Sequence, residues 1–170
     1  CLGGLALGSN SYIHGFFNNN VIDFDVVLGN GNIIKNISKN NHSDLYHGIG
    51  GTYGTMGIIT RVKMKLIECE SYVKITYDHY NSFHKFYAAF SSKIKGKKDN
   101  FIEAFVNSKN DFTIVSANFV KDVRKEDILV IKDKSILKQR HMCIYAQIAN
   151  KKDYSYLRLV DYLERYSYSA

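Results

Sequence analysis

Proline is absent from the 170 residues, and with it goes a common marker of helix starts and rigid turns. Element boundaries therefore rest on periodicity, glycine and capping residues. Cysteine is scarce: Cys1, Cys69 and Cys143 are odd in number, far apart and without a C-x-x-C pair. That spacing excludes a disulfide framework and reads as reduced thiols in a cytosolic-type compartment. No apolar run approaches the ~18 residues needed to span a bilayer, and no signal peptide is visible. Neither G-x-G-x-x-G opening a helix nor G-x-x-x-x-G-K-[ST] occurs, which disfavours a dinucleotide-binding βαβ unit and a P-loop.

What is present is a globular composition, with 45% hydrophobic and 14% aromatic residues. The net charge of +7 admits an anionic partner such as nucleic acid, a membrane surface or a phosphate-bearing cofactor. The lysines, however, are dispersed and lack aromatic interleaving, a poor nucleic-acid signature. The dense run Lys93-Ile94-Lys95-Gly96-Lys97-Lys98 reads as a solvated helix end answering the helix dipole. Asn36-Ile37-Ser38 and Asn41-His42-Ser43 match the glycosylation acceptor pattern, which an Asn-rich chain produces by chance.

The chain is organised around His47 to Leu66. Gly48, Gly50, Gly51, Gly54 and Gly57 crowd a short stretch that runs directly into Ile58–Leu66. Side-chain-free positions let backbone amides approach a ligand or a neighbouring segment closely; equally, they make a tight connection between a helix and a strand. In the strand, Ile58, Thr60, Val62, Met64 and Leu66 alternate with Ile59, Arg61, Lys63 and Lys65, predicting a sheet with one buried face.

Before this stretch, Val21–Leu28 and Asn32–Ser38 read as strands joined by a Gly29-Asn30-Gly31 hairpin turn, with Asn-Gly supplying positive φ. Ser43 is the expected N-cap of a short helix carrying Leu45, Tyr46 and Ile49. Afterwards, Ser71–Tyr77 alternates as a strand. Asn81 or Ser82 caps a helix with a core-facing stripe of Phe83, Phe86, Tyr87 and Phe90. Phe101–Val106 and Thr113–Val120 form a second hairpin, Met142–Ile148 is a strand candidate, and Leu157 to Glu164 reads as a terminal helix. The fold class is α+β with largely antiparallel sheet, changing domain at about Glu68 to Ser71.

The order C-L-G-G-L-A-L-G-S, H-G-F-F, V-I-D-F-D-V-V-L-G-N-G, N-H-S-D-L-Y and G-G-T-Y-G-T-M-G-I-I-T-R-V, over residues 1 to 67, resembles the flavin-binding domain of the vanillyl-alcohol oxidase/p-cresol methylhydroxylase family. Within it the likeness runs to the diminuto-like sterol reductase branch. The resemblance implies that residues 1–68 are the C-terminal lobe of a p-cresol-methylhydroxylase-type FAD-binding domain and 69–170 part of an α+β substrate (cap) domain. It implies an FAD-dependent oxidoreductase acting on a carbon–carbon bond by hydride transfer through the flavin, with NADPH as reductant and a small, sterol-like substrate. The Gly3-Gly4 turn, Gly8 and Ser9 would lie along the FAD, and the backbone of Gly57, Ile58 and Ile59 would touch it from the other side. The absence of an initiator Met and of a helix stop after Tyr166 leads us to expect a piece of a longer protein. Its first flavin lobe would precede Cys1, and the segment alone would be inactive. The implied location is intracellular, in the cytoplasm or on the cytoplasmic face of an internal membrane, with any membrane association made through other regions.

Side chains for chemistry are few. His14 reads as a turn residue, since no acid partner sits at helpful spacing. His42 and His47 are off metal-ligand register, and Asp23, Asp25 and Asp44 read as strand-edge and first-turn acids. Two alternatives stay open: an FAD-dependent oxidase of alcohols or sugar lactones, and a flavin-free basic binding module.

Overall fold

The structure, a computed structural model, describes residue 2, residues 8–128 and residues 153–165. The chain divides into two compact units, Cys1–Glu68 and Cys69–Ala170, and each is α+β with antiparallel strand pairing. The strand expected at Met142–Ile148 lies outside the described residues.

In the first unit a short helix α1 (Ser11–His14) and a 3-10 turn (Phe17–Asn20) lead into β1 (Val21–Val27). The chain returns along β2 (Ile33–Ile37), enters α2 (Ser43–Gly48) and finishes on β3 (Ile58–Met64). β1 is the central strand, with β2 and β3 antiparallel on either side. The hairpin has a three-residue loop: Leu28 and Asn32 bracket it, Gly31 donates to the Leu28 carbonyl at 2.9 Å, and positive φ falls on Gly31 at 85°. Asn30 instead uses its side chain, accepting from the Asn32 amide at 3.0 Å, so the turn is a type I turn closed by a left-handed glycine. The N-cap of α2 is His42, in the left-handed conformation, and Ser43 is its first residue. Phe24, Val26, Ile37, Tyr46 and Ile49 form the core between sheet and α2, and the Tyr46 hydroxyl donates to the Val21 carbonyl at 2.7 Å.

The expected uninterrupted alternation of β3 does not hold. Asp25 pairs with Arg61 but Val26 pairs with Ile59, so Thr60 is an extra residue. One inserted residue reverses the phase of a strand. Ile59 consequently faces the core with Val62 and Met64, whereas Ile58 points to the other face and is 69% exposed. A second irregularity sits across β1, where Phe24 pairs with Ile37 and Val26 with Ile34. The additional β2 residue there includes Asn36, at φ 56°.

The second unit is a four-stranded sheet in the order β5-β6-β4-β7, made of β4 (Tyr72–Tyr80), β5 (Phe101–Ser108), β6 (Asp111–Val120) and β7 (Tyr154–Arg158). Helix α3 (Phe83–Gly96) packs against one face through Phe86, which stacks on Phe112 at 5.1 Å between ring centroids. A short helix α4 (Leu159–Leu163) packs Tyr162 into the opposite face with Val73, Ile75, Tyr77, Val115 and Leu157. Residues Phe112 to Ala117 of β6 are therefore all buried. Leu157, expected in the terminal helix, belongs to β7 and pairs with Val73. The aromatic stripe of α3 is rotated from the expected direction: Phe86 is buried, but Phe83 and Tyr87 remain 55% and 60% exposed.

Candidate functional site

The glycine stretch is a loop of successive tight turns. Thr52 donates to the Ile49 carbonyl through its backbone amide and through its hydroxyl, and Thr55 repeats this arrangement on Thr52. Gly51, Tyr53 and Gly54 all have positive φ (81°, 51° and 88°). For tyrosine that conformation is costly, and an exposed residue held so marks a segment worth testing for function.

Gly57 has a structural reason to be glycine. Its φ is 156°, and a Cβ there would meet Val26 Cγ2 at 2.7 Å and the Val27 carbonyl oxygen at 2.8 Å. The loop therefore enters β3 pressed against the end of β1. Immediately beyond, Ile58 pairs with Val27 and Val27 with Ile33. Paired residues on adjacent strands share a face, so Ile33, Val27 and Ile58 form one apolar row across the sheet, away from the core. Ile33 is 60% exposed and Val27 half-buried. A flat apolar strip beside a side-chain-poor loop suits one face of a planar ring.

The next row of the same face is ionic. Arg61 Nε donates to Asp25 Oδ2 at 2.7 Å, and its terminal nitrogen reaches Asp25 Oδ1 at 2.8 Å, Asp23 Oδ1 at 2.7 Å and Asn36 Oδ1 at 2.8 Å. Asp25 Oδ1 also accepts the Asn36 amide at 2.8 Å. The Arg61 guanidinium, followed by that amide, pulls the Asp25 carboxyl down to about 2, because both stabilise the charged form. Asp23 and Asp25 are thus on the central strand and paired, not at a strand edge. The signal available in sequence is acids at i and i+2 on one strand and an arginine at the centre of a later one; strand register joins them.

Of the residues expected along the cofactor, Gly3 and Gly4 lie outside the described residues. Gly8 and Ser9 sit in a turn before α1, where the Gly8 amide donates to Ser11 Oγ at 2.9 Å and its carbonyl accepts from the Ser11 amide at 2.9 Å. Gly57, Ile58 and Ile59 stand at the entry of β3, with the Ile58 side chain outward and that of Ile59 against the core. The His14 carbonyl accepts from Asn20 Nδ2 at 3.0 Å. An open groove of about 490 Å³ on the first unit is lined by Asp23 and Asn36 of the ionic row together with Asn19, Lys39, Asn40 and Lys65 among others; none of the expected cofactor residues lines it. Among the described residues no group of three His, Cys, Asp or Glu is placed to hold a metal ion, and no helix is long and apolar enough to cross a membrane.

In the second unit the polar groups sit on the sheet face that carries Tyr77. The Tyr77 hydroxyl and Ser155 Oγ are 2.8 Å apart, Arg165 pairs with Glu103 and stacks on the Tyr162 ring, and His79 Nδ1 lies 3.1 Å from Thr113 Oγ1. Burial pushes the Tyr77 hydroxyl up to about 12, and the Glu103 charge adds to it.

No protein-family profile matches the chain. Individual proteins do. The chain is 32% identical over 76 residues to a Delta(24)-sterol reductase of Pisum sativum, covering 45% of this chain and 13% of that protein. It is 24% identical over 119 residues to the human Delta(24)-sterol reductase, covering 68% and 23%. To cytokinin dehydrogenase 5 of Oryza sativa it is 30% identical over 109 residues, covering 62% and 20%. The chain spans less than a quarter of the length of these three relatives, and what it resembles in them is part of an oxidoreductase.

Proposed function

We propose that this chain is part of an FAD-dependent oxidoreductase of the vanillyl-alcohol oxidase/p-cresol methylhydroxylase type. In this reading residues 1–68 are the second lobe of the flavin domain and residues 69–170 part of the cap over the substrate. The observation that carries it is the shared redox class of relatives with two different names, a sterol reductase and a cytokinin dehydrogenase. The residues present fit a flavin: Ile58, Val27 and Ile33 offer a flat apolar strip, and the Gly48–Gly57 loop beside it offers backbone at its five glycines. The Gly8 amide would contribute only by exchanging its bond to Ser11.

When bound, the flavin supplies the hydride chemistry, and the protein supplies position and a dry surface. Ile58 would exclude water from one ring face, and one row away Arg61 is held by Asp25 and Asp23 in a fixed ion cluster whose positive charge those carboxylates more than neutralise. The substrate class is sterol-like, the bond a carbon–carbon double bond, and the reductant NADPH. The rice relative favours a second reading, in which the substrate is oxidised and electrons pass to an acceptor.

Purified full-length protein tests this directly. The expected result is a yellow protein releasing FAD on denaturation and reduced anaerobically by NADPH. Bleaching by an alcohol or sugar-lactone substrate, with no response to NADPH, selects the oxidative reading. A protein that stays colourless and takes up no added FAD overturns both.

A further inference from the structure

Two of the irregularities of the first sheet, one on each side of β1, converge on one side chain. On β2, Asn36 adopts φ 56° and hands its amide to Asp25 Oδ1, while its carbonyl accepts Asn41 Nδ2 at 3.0 Å. On β3, Thr60 is the extra residue and Arg61, immediately after it, closes a two-pronged pair with the same Asp25 carboxylate. A bulge leaves a strand free to slip by one residue unless something pins it, and a slip would exchange the faces of Ile58 and Ile59. Arginine–carboxylate forks have the directionality to act as such a pin.

We infer that Asp25 is a positioning residue for the candidate cofactor strand: gripping Asn36 on one side and Arg61 on the other, it fixes the phase of β3 that turns Ile58 outward beside Gly57. Asp23, bonded to the same guanidinium nitrogen, is a minor partner, because it touches Arg61 at one point, whereas the Asn36 amide goes to Asp25. This inference rests on the flavoprotein reading for its functional half, whereas the phase of β3 is a property of the first unit alone.

The test uses the full-length protein with Asp25→Asn, Arg61→Lys and, as a control, Asp23→Asn. Two quantities are read: hydrogen exchange of amides 58–62, and FAD affinity with the fine structure of the visible flavin band. Losing charge-assisted bonds at this position is expected to speed exchange in β3 about tenfold or more and to weaken FAD to a similar degree. Arg61→Lys keeps the charge but not the fork, and should fall between wild type and Asp25→Asn; Asp23→Asn should stay within about twofold of wild type. A blurred flavin band with unchanged melting temperature separates positioning from general loss of stability.

Unchanged exchange in both Asp25→Asn and Arg61→Lys overturns the inference, as does faster exchange with FAD affinity and band shape intact. If the wild type takes no FAD, the flavoprotein reading and the functional half fall together. Exchange then decides the phase-setting role by itself.

Discussion

The two sheets of this chain are finished to different degrees. In the second unit α3 and α4 lie on opposite faces, and β6 is buried through six consecutive residues, Phe112 to Ala117. In the first, α2 covers one face of β1, and β3 has no fully buried residue among its seven. A soluble domain seldom leaves an apolar row such as Ile33, Val27 and Ile58 uncovered without a use for it. The contrast separates a sheet that is mainly a scaffold from one whose outer face is left for something else to occupy.

The largest effect should come from breaking the buried sheet. Ile75→Ala, at a fully buried position, is expected to cost about 2–5 kcal/mol in urea or thermal unfolding, whereas Ile58→Ala should stay within about 0.5 kcal/mol in the absence of ligand. Equal losses would erase the distinction between the sheets.

Within the glycine loop the same contrast can be sharpened. Gly57→Ala puts a methyl within 2.7 Å of Val26 and 2.8 Å of the Val27 carbonyl, and should cost about 3 kcal/mol from overpacking and backbone strain. Gly54→Ala meets nothing within 4 Å and should cost about 1–2 kcal/mol, from its left-handed φ alone. Comparable losses would mean that the loop does not press on β1 as described.

The smallest effects are in pH dependence, and they run in opposite directions. Asp25 is lowered from 3.8 to about 2, so its contribution is whole above about pH 4 and disappears as pH falls through 2. Tyr77 is raised from 10.0 to about 12, so its contribution is whole below pH 10 and disappears as pH rises through 12. Unfolding followed separately in the two units should show the first weakening in acid and the second in alkali. Asp25→Asn and Tyr77→Phe should each flatten one limb.

Much of this was legible in the sequence, and the failures have causes. β1 and β4 were readable because Val21–Val27 and Tyr72–Tyr80 are rich in β-branched and aromatic residues, and the second hairpin because Lys109 and Asn110 interrupt two such runs. β3 misled because Ile58 to Leu66 alternates without a flaw, and a bulge at Thr60 depends on what Asp25 offers from the neighbouring strand. The α3 stripe at i, i+3, i+4 and i+7 was real, but of Phe83, Phe86 and Tyr87 only Phe86 is buried; Phe83 meets Phe112 edge-on and stays largely exposed. Leu157 went to a strand since pairing with Val73 outweighed a helical spacing. Of the candidate site, the glycine loop and Ile58 were visible as a pattern. The parts added by Val27, Ile33 and the Arg61 fork depend on strand register, which no single segment encodes.

Hydrogen exchange of the full-length protein with and without FAD tests the uncovered face most directly. Slowed exchange confined to the Gly54–Arg61 and Val27–Ile33 segments, with Tyr72–Tyr80 unaffected, is the predicted result. Added FAD that leaves those two segments unprotected, whether it binds elsewhere or not at all, would contradict the assignment of this face to the cofactor.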